Sequence, residues 1–304
     1  MQVVLLVILL TAVAGMRVAG LQQEPDVGFD TKVARPAFTT SHPKVLIDEA
    51  HNNFHTADGR YKPFATLLAN DGYQVLPGKD KFEAARLKGY DILVISNALG
   101  AANMALEGAD RPAFTETECD AVRDWVRGGG ALLLIADHAP IGGANEVLGQ
   151  RFGVDMSKVY TVDTAHADLK NGGNDGWLIF SRENGLLGDH PMTRGRDARE
   201  KINSVTTFTG QSLKGGEGSA SFLKLADTAG DLDPKTKKEV SAAGRAQGIA
   251  LRFGKGRVVV LGEAAMMTAQ LAGPNKMKFG MNRDGNDNKQ LALNVMHWLS
   301  GLLD

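Results

Sequence analysis

Short apolar runs alternate with amphipathic stretches along this chain, and turn residues separate them. The run KVLI predicts a strand over 44–47, followed by a loop over 48–60 rich in Asn, His and Gly. A helix is predicted over 61–70, stopping before Asp71 and Gly72. A strand over 73–76, a short helix over 82–87 and a strand over 90–95 come next. Thr115, with Glu118 three residues on, has capping-box spacing. Val122, Trp125 and Val126 share one face of the helix that it opens, and Gly128 to Gly130 end it. The run ALLLIA over 131–136 has no polar alternation, as in a strand covered on both faces. A further helix is predicted over 145–152.

The second half is less regular. Strands are predicted over 159–163, 201–208 and 221–226, with a turn around His190 and Pro191. The charged segment 231–239 reads as an exposed hairpin or loop, because burying it without partners is costly. Residues 248–253 and 257–261 form an antiparallel pair around Gly254, Lys255 and Gly256. Glu263 opens a helix over 264–271, and a last amphipathic helix covers 288–303. This order implies an α/β fold, a mainly parallel open sheet with helices on both faces and a late antiparallel hairpin. We read 44–304 as a single domain with an elaborated region at about 158–247, and 20–43 as a polar strap.

The first fifteen residues are apolar and too few for a span, which needs about 20, so 1–19 reads as a signal peptide and the mature protein as secreted or periplasmic. No later segment is long and apolar enough to cross a membrane. Of 304 residues only Cys119 is a cysteine, so no intrachain disulfide forms. Net charge is −1, with the two signs mixed, so no basic patch invites nucleic acid. No Rossmann fingerprint or P-loop is present.

Chemistry-bearing residues gather after three of the apolar runs. Asp48, Glu49, His51, Asn52 and His55 follow the first, Ser96 and Asn97 the third strand, and Asp137 and His138 end ALLLIA. Glu263 follows VVVL and a glycine. If those runs are parallel strands, their carboxyl ends share the edge where open α/β sheets hold ligands. Asp137, His138 and Glu263 are the expected catalytic groups, with Asp137 placed to orient the His138 imidazole and either Glu263 or Asp137 as general base. Asp48, His51 and His138 could ligate a divalent ion, zinc or calcium, which would activate water. Glu49, Asn52, His55, Ser96, Asn97, Gly142, Gly143 and Asn282 are the expected ligand-binding residues.

The succession VLIDEAH, YDILVISNA, GGGALLLIAD, VVVLGEA and a closing helix after DNKQLALNVMHWL resembles class I glutamine amidotransferase-like domains, in particular the DUF4350 branch. The resemblance covers 44–303 and implies a flavodoxin-like sheet. The family places a nucleophilic Cys at the turn after the fourth strand. Here that turn is Asp137 to Gly143, without Cys or Ser, and the family's late His-x-Glu pair is reduced to Glu263. A Cys-dependent glutaminase is therefore not expected.

The expected function is an exported hydrolase of an ester, amide or carbohydrate derivative, whether or not a divalent metal assists as just described, acting on a small molecule or glycan. A non-catalytic carbohydrate or small-anion binding module and a cell-envelope structural protein are the alternatives. The sequence assigns no oligomeric state.

Overall fold

The structure, a computed structural model, describes residues 23–304. The expected signal segment 1–19 lies outside the described residues. At the centre is a nine-stranded sheet built from β1 (Lys44–Asp48), β2 (Gln74–Gly78), β3 (Ile92–Ser96), β4 (Ala131–Ile135), β5 (Asp155–Met156), β6 (Leu213–Lys214), β7 (Ala220–Lys224), β8 (Ala246–Phe253) and β9 (Gly256–Leu261). Their order is β2-β1-β3-β4-β9-β8-β6-β5, and β7 also pairs with β8. The first five are mutually parallel, and the remainder continue antiparallel. The parallel part has the flavodoxin-like order, which reverses direction between β1 and β3 and opens a crevice at their carboxyl ends.

Alternate residues of each parallel strand enter two separate apolar clusters. Val45, Ile47, Ile92, Val94, Leu133 and Leu261 join the side chains of α1 (Lys62–Asn70) and the closing helix Asn288–Leu299. Leu46, Leu93, Ile95, Leu132, Leu134 and Val260 join Leu87, Val122, Val126 and Leu148. Those four belong to α2 (Ala84–Leu87), α3 (Glu116–Arg127) and α4 (Ile141–Gln150). The two-residue repeat of a strand sends neighbours to opposite sides, so an uninterrupted apolar run serves two cores at once. Full burial of each Phe64 or Leu67 side chain stabilises the fold by about 2 kcal/mol.

The capping box of α3 forms as expected, with Thr115 and Glu118 bonding each other's backbone. Helix α4 starts at Ile141, four residues earlier than expected. A glycine pair argues against a helix start on propensity alone. Tertiary crowding reverses this, because a Cβ on Gly142 would meet the Gln211 side chain at 2.5 Å and one on Gly143 the Asp110 carbonyl at 2.8 Å.

The expected helix 264–271 is replaced by a 3-10 turn, Ala265–Met267, and a strand, Ala269–Ala272. That strand pairs on one side with Met277–Gly280 and on the other with Gln23–Pro25, the start of the strap. The second partner lies far away in sequence, so local periodicity does not reveal it. The charged segment near 231 is a hairpin, Gly230–Leu232 with Glu239–Ser241. Its Asp231 is buried nonetheless, accepting from Thr161 Oγ1 at 2.7 Å and Ser212 Oγ at 2.6 Å.

Two buried ionic clusters tie distant segments together. His297 Nε2 meets Asp71 at 2.7 Å, and Asp71 also accepts from the Ala37 amide, which holds the strap against α1 and the closing helix. Beneath the β1 loop, His51 lies between two carboxylates, with Nδ1 2.9 Å from Asp48 and Nε2 2.9 Å from Glu118. Phe82 and Phe114 flank its ring. Burial alone would raise the Glu118 pKa, but the His51 and Thr115 donors outweigh it and hold the group at about 2.

A carboxylate held below its ordinary value of 4.5 contributes stability that is complete above that value and lost as pH falls toward 2. Glu118→Gln should therefore destabilise the fold by about 1–3 kcal/mol in urea unfolding at neutral pH, since the buried His51 Nε2 loses its carboxylate partner. Unchanged stability would show that this cluster does not hold the loop to α3.

Candidate functional site

Strands β4 and β9 are parallel neighbours in register, with Ile135 opposite Leu261. Asp137 and Glu263 each lie two residues beyond that last pair, so both sit at the same level of the same edge. Adjacent strands are about 5 Å apart, so the two carboxyls are electrostatic neighbours. Glu263 is fully buried and accepts from the Ala265 amide at 2.6 Å and the Met266 amide at 2.8 Å. Burial first, and then the charge of Asp137, raise its pKa well above the usual carboxylate range. Asp137 is raised as well, again by burial, against the charge of His138 and hydrogen bonds from the His138 amide, Asn97 and the Ala264 amide. Two like acids in one desolvated place cannot both ionise freely, so they titrate as a pair and retain a proton between them.

The surroundings hold this pair in position. Asn97 follows β3 with φ of 50°, the left-handed region that Asn tolerates better than most residues. There its side-chain oxygen accepts from the Asp137 amide at 3.1 Å, and its Nδ2 points to Asp137 Oδ2 at 3.4 Å. His138 stacks on Tyr160 with ring centroids 4.2 Å apart. Its Nδ1 donates to the Ala139 carbonyl at 2.7 Å, which leaves Nε2 as the basic atom. Gln211 bonds the carbonyls of Ala136 and Asp137 from outside the sheet. Its own main chain approaches so closely that a Cβ on Gly262 would stand 2.2 Å from the Gln211 carbonyl.

On the β1 side, His55 is buried and stacked on Tyr61 at 4.6 Å, with Nδ1 3.0 Å from Ser96 Oγ. Burial, aided by the charge of Arg60, lowers its pKa to about 3, so the ring is neutral across the physiological range. Tyr61 donates to the Ala264 carbonyl at 3.1 Å, linking this group to the backbone beside Glu263.

These elements enclose a cavity of about 370 Å³, lined by His55, Arg60, Asn97, Asp137, His138 and Gln270 among others. Phe208, from the elaborated region, and Phe279 and Gln23, from the small sheet, complete its walls. A larger groove of about 830 Å³ adjoins it across Ala139 and Pro140. Its Lys158 and Glu146 pair with each other at 2.7 Å, and Asp137 and His138 line the smaller cavity and not this groove, so the chemistry is centred on the smaller cavity.

Several expected placements need correction. The ion site of Asp48, His51 and His138 is not assembled. Both nitrogens of His51 are taken by carboxylates in an enclave between Phe82 and Phe114, while His138 sits against Tyr160. Among the described residues no group of three His, Cys, Asp or Glu side chains is placed to hold an ion. Glu49 closes its own loop on the Ala57 amide, and Asn52 points its amide to the Leu99 carbonyl. Asn282 is spent on Asp26, the Gln270 carbonyl and the Phe279 amide. Gly142 provides clearance for Gln211, and Gly143 lines the larger groove. Ser96 is fully buried behind His55. Cys119 is buried within α3, and its thiol is pushed up to about 12, mainly by burial.

Arg60, Gln270, Phe208, Gln211 and Tyr160 enter the site without a motif that announces them. Arg60 closes the His-rich loop, and Gln270 sits in a segment whose period reads as helix, so neither stands out in the sequence. Only their proximity in space gives them a role.

No protein-family model matches the chain, and no curated protein does. Solved structures resemble its fold. The N-terminal domain of mmIFT52 superposes with a TM-score of 0.57 at 14% identity, over 84% of this chain and 97% of that one. A ThuA-like protein from Bacteroides uniformis gives 0.44 at 16% identity, over 87% and 94%. A GMP synthase subunit-like protein from Thermoplasma acidophilum gives 0.44 at 11% identity, over 87% and 96%. At such identities the likeness is one of fold alone.

A histidine held neutral by burial contributes stability that is complete above its ordinary value of 6.5 and lost as pH falls toward 3. His55→Asn removes that proton linkage. Across this interval its unfolding equilibrium should depend less steeply on pH than that of the wild type, by up to about tenfold per pH unit. Parallel profiles for the two proteins would mean that His55 is not kept neutral in the fold.

Proposed function

We propose that the chain is an exported hydrolase on a glutamine amidotransferase-like scaffold of the DUF4350 kind, with helices on both sheet faces and without the family's cysteine chemistry. The apolar leader over 1–15 supports export. The observation that carries the catalytic part is the Asp137–Glu263 pair, both raised by burial, with Asp137 lining one cavity beside His138, whose Nδ1 is held by the Ala139 carbonyl and whose Nε2 is left for chemistry. Groups whose environments push their proton affinities apart are suited to opposite halves of acid–base catalysis.

In this mechanism a water in the cavity attacks the scissile carbon of an ester, amide or glycosidic bond. His138 Nε2 takes the water proton as the new C–O bond forms. Asp137, protonated, gives its proton to the departing oxygen or nitrogen as the old bond breaks. Glu263 then sets the proton affinity of Asp137 through their mutual repulsion, and Asn97 fixes the Asp137 carboxyl. A neutral imidazole and a protonated carboxyl suffice for the balance, and both belong to this chain.

A non-catalytic binding module is the second reading. It is favoured by one fact: both Glu263 oxygens already accept backbone amides, as a purely structural cap would.

A panel of chromogenic esters, anilides and glycosides separates the two. Asp137→Asn should lower kcat by about a hundredfold or more on whichever substrate the wild type cleaves. Glu263→Gln removes the repulsion and should move the alkaline limb of the pH–rate profile, where Asp137 loses its proton, to lower pH. Full activity in Asp137→Asn would reject Asp137 as the acid, and no turnover of any class would leave the binding module.

A further inference from the structure

We propose that the cavity recognises a small organic acid, with Arg60 taking its carboxylate and Gln270 accepting a hydrogen bond from a hydroxyl or amino group on the same molecule. This rests on reading the cavity as the hydrolytic site and names the substrate class for it.

Arg60 lies at the cavity with its guanidinium 3.9 Å over the Phe54 ring. Its Nε is buried without a hydrogen-bond partner. Among the described residues no ion pair to Arg60 is formed, although most other arginines of the fold hold an Asp or Glu. A guanidinium half withdrawn from water against an aromatic face, with its buried Nε–H unmet, is a place for an anion. The acid that lines the cavity, Asp137, forms no ion pair with Arg60 and has its pKa raised by burial, and His55 is neutral.

Gln270 is the second, independent observation. It is fully buried, yet it lines the cavity, and its Oε1 has no donor. The amide orientation is determined locally. Thr268 Oγ1 gives its hydrogen to the Ala265 carbonyl at 2.7 Å, so at 2.9 Å it can only accept from Gln270 Nε2. The oxygen is thereby turned away from Thr268 and left to accept. A buried acceptor without a donor carries the full desolvation penalty, which a ligand O–H or N–H would remove. A guanidinium and an amide oxygen together complement a carboxylate and a donor on one molecule. The cavity volume of about 370 Å³ admits a ligand of sugar-acid or amino-acid size.

The test is calorimetric binding to the full chain of gluconate, glucuronate, lactate and glutamate, each beside its neutral primary amide. At least one acid should bind saturably and at least about tenfold more tightly than its amide. Arg60→Gln should erase that preference, Arg60→Lys should keep part of it, and Gln270→Leu should weaken the acid while leaving Arg60 in place. Inorganic phosphate is the control for bare anion capture. It should bind more weakly than the preferred acid and should not respond to Gln270→Leu. Acids no better than their amides, or a preference that survives Arg60→Gln, would overturn the proposal. Repeating the titration with Asp137→Asn keeps it distinct from the hydrolase. Acid preference without any turnover would reject hydrolysis alone, and Asp137-dependent turnover with acids and amides bound alike would reject the Arg60 role alone.

Discussion

Two carboxyls brought to one level of a sheet edge and deprived of water govern how everything around them is arranged. Ile135 opposite Leu261 sets the register of β4 and β9, and the chain then places an acid two residues on in both strands. Each is held by amide donors, those of Ala265 and Met266 for Glu263 and those of His138 and Asn97 for Asp137. Neutral donors stabilise an ionised carboxyl without cancelling the repulsion of a second one, so a proton stays in the pair. A single cation between them would abolish that property.

The apolar scaffold explains why such a costly arrangement persists. Five parallel strands share two cores, so their edge is rigid on both sides. The buried His51 and His297 clusters lie away from the cavity and stiffen the β1 loop and the strap. The remaining walls come from parts added to the basic α/β order. The elaborated region brings Tyr160, Phe208 and Gln211, and the strap joins the small sheet that carries Gln270 and Phe279. The site is therefore built where the parallel edge of the sheet meets the elaborated region, the strap and the small sheet.

The parallel half was legible in the sequence to within a few residues, because its strands are short uninterrupted apolar runs and its helices carry a capping box or a clear apolar face. The second half was less so. The segment after Glu263 has helical spacing but becomes a turn and a strand, since its pairing partner Gln23 is remote in the chain. Asp137, His138 and Glu263 could be singled out because charge at the end of an apolar strand is conspicuous. The loop histidines could not be told apart in this way. His51 and His55 are four residues apart in one loop, yet one becomes a staple between two carboxylates and the other a neutral ring at the cavity. What separates them is Glu118 on α3, 67 residues further on. Arg60 and Gln270 were invisible for the converse reason: what marks them is the partner each lacks in space.

Whether Asp137 and Glu263 share a proton is observed directly by carbon-13 NMR titration of the side-chain carboxyls, assigned with Asp137→Asn and Glu263→Gln. At least one of the two resonances should remain protonated well above the pH at which exposed Asp and Glu ionise, and removal of either partner should lower the midpoint of the other. Two independent titrations at ordinary carboxylate values, unaffected by the partner's substitution, would refute the shared proton and the acid–base chemistry built on it.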